Sequence, residues 1–242
     1  MPRFYIDQPL RAGSTVILPE DSAHHAVHVL RVRTGDEVML FNGRGGEYPG
    51  HIASIERLKV MIDVLSYDPV ERESPLRVTL VQGVSAGEKM DLTIRKAVEL
   101  GVAEIQPVLA AASVARPKGD RAAARQGHWQ RIVISACEQC GRNRIPAVFP
   151  LVPVSEYRAA AGETGKQSKV LLSPRSELSF SKLEFGKQVV IAAGPEAGFS
   201  AEEEAAFVRE GFVPARLGPR VLRTETAALA ALAALNALAG DF

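Results

Sequence analysis

The chain has 242 residues, 46% of them hydrophobic and 24% charged, with a formal net charge of +1. That is an ordinary globular balance, with enough length to bury one large core or two modest ones. No apolar run approaches the ~20 residues of a membrane span, and two cysteines in a chain this long make no disulfide framework. The opening Met1-Pro2-Arg3-Phe4-Tyr5-Ile6-Asp7 has no charged segment leading into an apolar one, as a signal peptide would. The expectation is a cytoplasmic protein with no membrane partner.

Residues 1–66 read as strands. Thr15–Leu18, Glu37–Phe41 and the alternating Lys59–Leu65 are short and rich in β-formers, with Asn42-Gly43-Arg44-Gly45-Gly46 as a turn. A short helix over Ala23–Arg31 would carry His24, His25 and His28. Together these predict a small β-barrel over residues 1–70. The polar, proline-bracketed stretch Asp68–Pro75 predicts a domain boundary.

From residue 76 to 242 strands alternate with helices, the pattern of an α/β domain with a parallel sheet. Leu76–Gln82, Ile105–Leu109, Lys169–Ser173 and Gln188–Ala193 read as strands. Ser85-Ala86-Gly87-Glu88 and Ser200-Ala201-Glu202-Glu203 have capping-box spacing before helices that Gly101 and Gly211 stop. A helix over His128–Cys140 puts Trp129, Ile132, Val133, Ala136, Cys137 and Cys140 on one apolar face. Thr224 can cap a last, Ala/Leu-rich helix that runs to Ala239.

The small total charge hides a local excess. Residues 116–144 hold seven arginines and lysines against Asp120 and Glu138, enough to neutralise phosphates; the same stretch also suits a solvated surface. Cys137-Glu138-Gln139-Cys140 resembles a redox or zinc motif. Its thiols fall on the apolar stripe late in a helix, whereas activated thiols favour helix N-termini, so core cysteines are expected. No metal is expected, the three histidines having no carboxylate or thiol to complete a set.

Two stretches could carry chemistry. Gly194-Pro195-Glu196-Ala197-Gly198-Phe199 follows an apolar strand, where α/β sheets bind ligands. It reads equally as an ordinary strand–helix turn. The second stretch, Leu217-Gly218-Pro219-Arg220-Val221-Leu222-Arg223-Thr224-Glu225-Thr226-Ala227, crowds Arg216, Arg220 and Arg223 into an apolar region. These charges are costly to bury unless they are paired or used, and a structural Arg–Glu pair at the start of the last helix would also account for them.

In this order the segments resemble the ribosomal RNA small subunit methyltransferase E family, of the SPOUT superfamily of knotted methyltransferases. The resemblance runs from end to end. It takes in Met1–Tyr5, His28–Val32 with Gly35-Asp36, and Lys89, Asp91, Lys96 and Glu99–Val102. It continues through Trp129, Glu138-Gln139, Arg142 and Pro146 to the two C-terminal stretches. Ala197 departs from the family, which usually has a glycine there.

The resemblance implies a PUA-like N-terminal domain that helps hold RNA and a C-terminal α/β domain with a deep trefoil knot. It further implies a homodimer that uses S-adenosylmethionine to methylate N3 of a uridine in 16S rRNA of the small ribosomal subunit, near the decoding site. By the same resemblance, Leu172, Ser173, Gly194, Pro195, Glu196, Gly198, Leu217, Gly218, Leu222, Thr226 and Ala227 would hold the cofactor. Arg220, Arg223 and Glu225 would meet the uridine. Independently of the resemblance, the basic stretch puts Arg121, Arg125 and Arg142 where they would contact RNA, and Arg3 and Arg31 of the N-terminal domain would join them. The alternatives are another RNA target within the superfamily, such as a ribose 2′-hydroxyl, and a non-catalytic ribosome assembly factor.

Overall fold

The structure is a computed structural model describing residues 1–57, 59–113, 116–159 and 167–242. It divides into two units. The first comprises Met1–Glu73 and Ile134–Ile145, the second Ser74–Val133 and Pro146–Phe242.

The first unit is built on β1 (Arg3–Tyr5), β2 (Thr15–Ile17), β3 (Glu37–Phe41), β4 (Tyr48–Glu56) and β5 (Lys59–Val64). They form one curled sheet in the order β1-β3-β4-β5-β2, antiparallel except for β1 beside β3. Phe4, Val38, Leu40, Ile52, Val60 and Ile62 project from one face into a shared core, as a two-residue period requires. The sequence expectation missed β4, because Pro49 and Gly50 near its start are strand breakers. Pro49 pairs with Met39 all the same, and the strand bends at a bulge between Ile52 and Ser54. The histidine-bearing segment is α1 (Glu20–His24), which widens into a π-helical turn over His25–Val29.

Among the described residues the second unit is built on a parallel seven-stranded sheet. It contains β6 (Arg77–Gly83), β7 (Glu104–Leu109), β8 (Ala147–Val148), β9 (Val152–Pro153), β10 (Ser168–Leu172), β11 (Gln188–Ala193) and β12 (Val213–Ala215). Six of them run in the order β12-β10-β11-β6-β7-β8, with β9 also beside β7. The central β11 is buried from Val189 to Ala193, which explains its unbroken apolar sequence.

The helices are α2 (Glu88–Glu99), α3 (Asp120–Cys140), α4 (Ala201–Arg209) and α5 (Thr224–Ala239). α3 starts eight residues before the sequence expectation, since Arg121-Ala122-Ala123-Ala124-Arg125-Gln126 are all strong helix formers. Ser200 and Glu203 make the expected capping box. Ser85 does not: α2 starts from Gly87 with no side-chain cap, so Glu88 is its first residue and not its third. Thr224 likewise lies inside α5, with Arg223 at the N-cap, and its hydroxyl is used elsewhere.

Candidate active site

β10, β11 and β12 end side by side, and the loops leaving them build the site. Beyond β10 and β12 a cleft is lined by Leu172, Ser173, Pro174, Ala215, Arg216, Leu217, Gly218, Arg220, Leu222 and Ala227. Seven of the residues expected at the site therefore share one cleft. Three leucines and two alanines give it an apolar side, and Ser173, Arg216 and Arg220 supply polar groups, a mixture that suits a flat heteroaromatic ring. Ser173 is buried; its amide donates to Ala215 O at 3.0 Å, and its hydroxyl turns to Glu204.

The glycine loop after β11 is tied to α5 from below. Thr224 Oγ1 donates to Gly194 O at 2.5 Å. Gln82 Nε2 donates to Thr224 Oγ1 at 3.1 Å and also reaches Gly194 O. A side chain at Gly194 would come within 2.9 Å of Gly198 Cα, so the loop closes tightly on itself. Gly198 holds φ +74° while Ala197 has no left-handed φ; the family departure therefore costs no backbone strain. The Glu196 side chain points away from the cleft, accepting from Ala86 N at 3.1 Å and Lys89 Nζ at 3.3 Å. Partial burial favours its neutral form, but these hydrogen bonds outweigh that and hold the carboxyl below its usual range.

The arginines of the second stretch are exposed. Among the described residues none of Arg216, Arg220 and Arg223 pairs with a carboxylate, so the alternative of a structural Arg–Glu pair falls away. Glu225 has a buried Oε2 with no hydrogen-bond partner among the described residues. A buried carboxylate oxygen in that state is unfavourable until a donor reaches it. Thr226 is exposed on the first turn of α5 and does not line the cleft.

The residues expected to contact RNA fall into two groups. Arg31 is exposed and holds a left-handed φ of +55°. Arg121 and Arg125 line an open trough along α3. Arg3 and Arg142, by contrast, are committed inward, which corrects the expectation for both. Arg3 donates to Glu47 Oε2 at 2.5 Å and to Asn143 Oδ1 at 2.6 Å. Arg142 is 5% exposed and forks onto Glu73. Moving Arg142 outward would leave the Glu73 carboxylate without that partner, whereas Glu47 would keep Arg72. Glu138 also turns inward: it accepts from Tyr5 N at 3.0 Å, and burial pushes its carboxyl above the usual range. The Cys137 thiol is buried and pushed up to about 12, as expected of a core cysteine.

The sequence reading missed the turn after β6. Gln82 is fully buried and joins both C-terminal stretches. A side chain on Gly83 would lie 2.5 Å from the Pro195 N and Cδ atoms. The signal was present: an amide in the apolar run Leu80-Val81-Gln82-Gly83-Val84 is costly unless it is bonded, and the glycine beside it marks a close backbone approach.

The chain is similar to known proteins over its whole length. The model of the RNA methyltransferase domain matches residues 72–236, and that of the RNA methyltransferase PUA domain matches residues 18–65. Ribosomal RNA small subunit methyltransferase E of Buchnera aphidicola is 34% identical over all of this chain and 95% of its own. Its Bacillus subtilis counterpart is 30% identical over 98% of this chain and 96% of its own. The crystal structure of ribosomal RNA small subunit methyltransferase E from Neisseria gonorrhoeae, bound to S-adenosylmethionine, superposes with a TM-score of 0.92. It shares 40% identity and covers 100% and 99% of the two chains. A Legionella pneumophila methyltransferase in complex with S-adenosylmethionine gives 0.94 at 36% identity, covering 99% and 98%. The chain belongs to the ribosomal RNA small subunit methyltransferase E family.

Proposed function

We propose that this protein transfers a methyl group from S-adenosylmethionine to N3 of a uridine in 16S rRNA, near the decoding site of the small ribosomal subunit. The observation that carries the reading is the cleft between the ends of β10 and β12, walled by the second C-terminal stretch with Arg220 among its residues, and the hydrogen bond from Thr224 that ties the glycine loop to that stretch. Leu172, Leu217, Leu222 and Ala227 would hold the adenosyl group, with Gly194–Gly198 closing beside it. The unpartnered Glu225 Oε2 also fits a site that receives a donor from a ligand.

Bound S-adenosylmethionine supplies an electrophilic methyl group. As the N3–CH3 bond forms and the S–CH3 bond breaks, the N3 proton must leave and negative charge develops on the uracil ring. Arg220 and Arg223, exposed and without a carboxylate partner among the described residues, stabilise that charge. Glu225 takes the proton, or orients an arginine that steadies the ring.

In this reading residues 1–70 form an RNA-holding domain and residues 76–242 the methyltransferase domain, with the deep trefoil knot of the SPOUT superfamily. The hydrogen bond from Thr224 to Gly194 supports the knot, since it sets the last segment against the loop after β11. The protein works in the cytoplasm as a homodimer. Leu92, Leu238 and Phe242, exposed by 39%, 52% and 69%, support a subunit contact through the second unit. Among the described residues no helix is long and apolar enough to cross a membrane.

The test is methyl transfer to small-subunit particles by Arg223→Ala and Glu225→Gln proteins, with cofactor affinity measured by calorimetry. The expected result is a fall in kcat of about 10²-fold or more with cofactor affinity within a few-fold of the parent. Near-normal turnover in both variants contradicts the assigned roles.

A further inference from the structure

We propose that the N-terminal half of α3 and the turn that opens α2 form a track for an RNA backbone ending at the cofactor loop. This rests on the reading above and names where on the second unit the RNA lies.

Two open troughs meet at Ala124 and Arg125. One is walled by Lys118 and Arg121, the other by Gly87 and His128. Among the described residues no carboxylate pairs with Lys118, Arg121 or Arg125. Other arginines of the same unit do have partners: Arg77 faces Glu104 and Arg158 faces Glu210. Like charges four residues apart on a helix repel, and Arg121 and Arg125 have that spacing. Uncompensated repulsion along an exposed groove is what a polyanion relieves.

The dimensions fit a nucleic-acid backbone. Arg121, Arg125 and His128 follow one face of α3 over seven residues, about 10 Å, the length of about three stacked nucleotides at ~3.4 Å each. His128 is fixed at the inner end by Asp91 of α2, 2.9 Å away. The track then reaches Gly87, and the next turn of chain carries the two groups that hold Glu196, namely Ala86 N and Lys89 Nζ. The groove therefore leads to the glycine loop. The polyanion that this path requires in a methyltransferase of RNA is the substrate itself.

The test is fluorescence anisotropy of a labelled uridine-containing hairpin from 16S rRNA, titrated with full-length protein across a series of salt concentrations. Removing two phosphate contacts in the Arg121→Ala/Arg125→Ala protein should reduce the slope of log affinity against log salt by about 1.4 to 1.8. Affinity near physiological salt should fall on the order of tenfold, with calorimetric affinity for S-adenosylmethionine unchanged. Arg77→Ala/Arg158→Ala, which removes two ion-paired arginines elsewhere, should leave the slope as in the parent. An unchanged slope in the first variant, or an equal fall in the second, overturns the track. If the parent binds and methylates RNA while the first variant keeps its slope, the track alone fails. A parent that binds cofactor but no RNA overturns the track and the proposed function together.

Discussion

The hydroxyl of Thr224 donates to the carbonyl of Gly194 at 2.5 Å, so a single buried hydrogen bond joins the first turn of α5 to the loop after β11. The same oxygen accepts from Gln82 on the central strand β6. Thr224→Val keeps the shape and deletes both bonds, leaving buried polar groups short of partners at a cost of about 1–3 kcal/mol. Cofactor affinity should fall about tenfold or more by calorimetry, and Thr224→Ser should restore most of it. Equal affinity in Thr224→Val and the parent would show that the bond does not position the loop.

Gly83 offers a steric test of the same junction. Its φ is not left-handed, so only the missing side chain matters. In Gly83→Ala the new methyl would sit 2.5 Å from Pro195 N, a backbone atom that cannot swing aside. The glycine loop must move, and cofactor affinity should drop by at least tenfold while the thermal midpoint shifts by only a few degrees. Wild-type affinity in that variant would mean the loop tolerates displacement.

Glu47 carries a prediction for the first unit. It is buried and takes hydrogen bonds from Arg3 and Arg72. Burial favours its neutral form, but the two guanidiniums outweigh this and hold the carboxyl below its usual range. A carboxyl depressed by folding stabilises above its unfolded pKa of about 4.3, and that contribution is lost as pH falls through the lower folded value. Glu47→Gln should therefore cost about 3 kcal/mol at neutral pH. The gap to the parent in denaturant titrations should close below pH ~4. A gap that is constant between pH 7 and 3 would argue against the ion pairs as its source.

What the sequence disclosed followed from local pattern. The runs Gln188–Ala193 and Glu37–Phe41 and the Ser200–Glu203 box act within a few residues, and the structure keeps them. Long-range partners were hidden. Arg3 and Arg142 looked like surface cations until Glu47, Asn143 and Glu73 came beside them from distant parts of the chain. Tyr48–Glu56 was not among the expected strands, because pairing with β3 and β5 overrides the local disfavour of Pro49 and Gly50. Ser85 and Thr224 showed cap-like spacing, yet one is a buried hydroxyl without a hydrogen-bond partner among the described residues and the other binds across the sheet. The two C-terminal stretches were visible as motifs; that Gln82 clasps them together was not.

The central claim is that the cleft beyond β10 and β12 serves methyl transfer to a uridine base. The most direct measurement is mass spectrometry of nucleosides from small-subunit rRNA after incubation with this protein and S-adenosylmethionine. The rRNA is taken from a strain lacking the corresponding enzyme. The account predicts one new 3-methyluridine per rRNA molecule, absent when Arg223→Ala protein is used. A 2′-O-methylated nucleoside in its place, or no new methylated nucleoside at all, would contradict it.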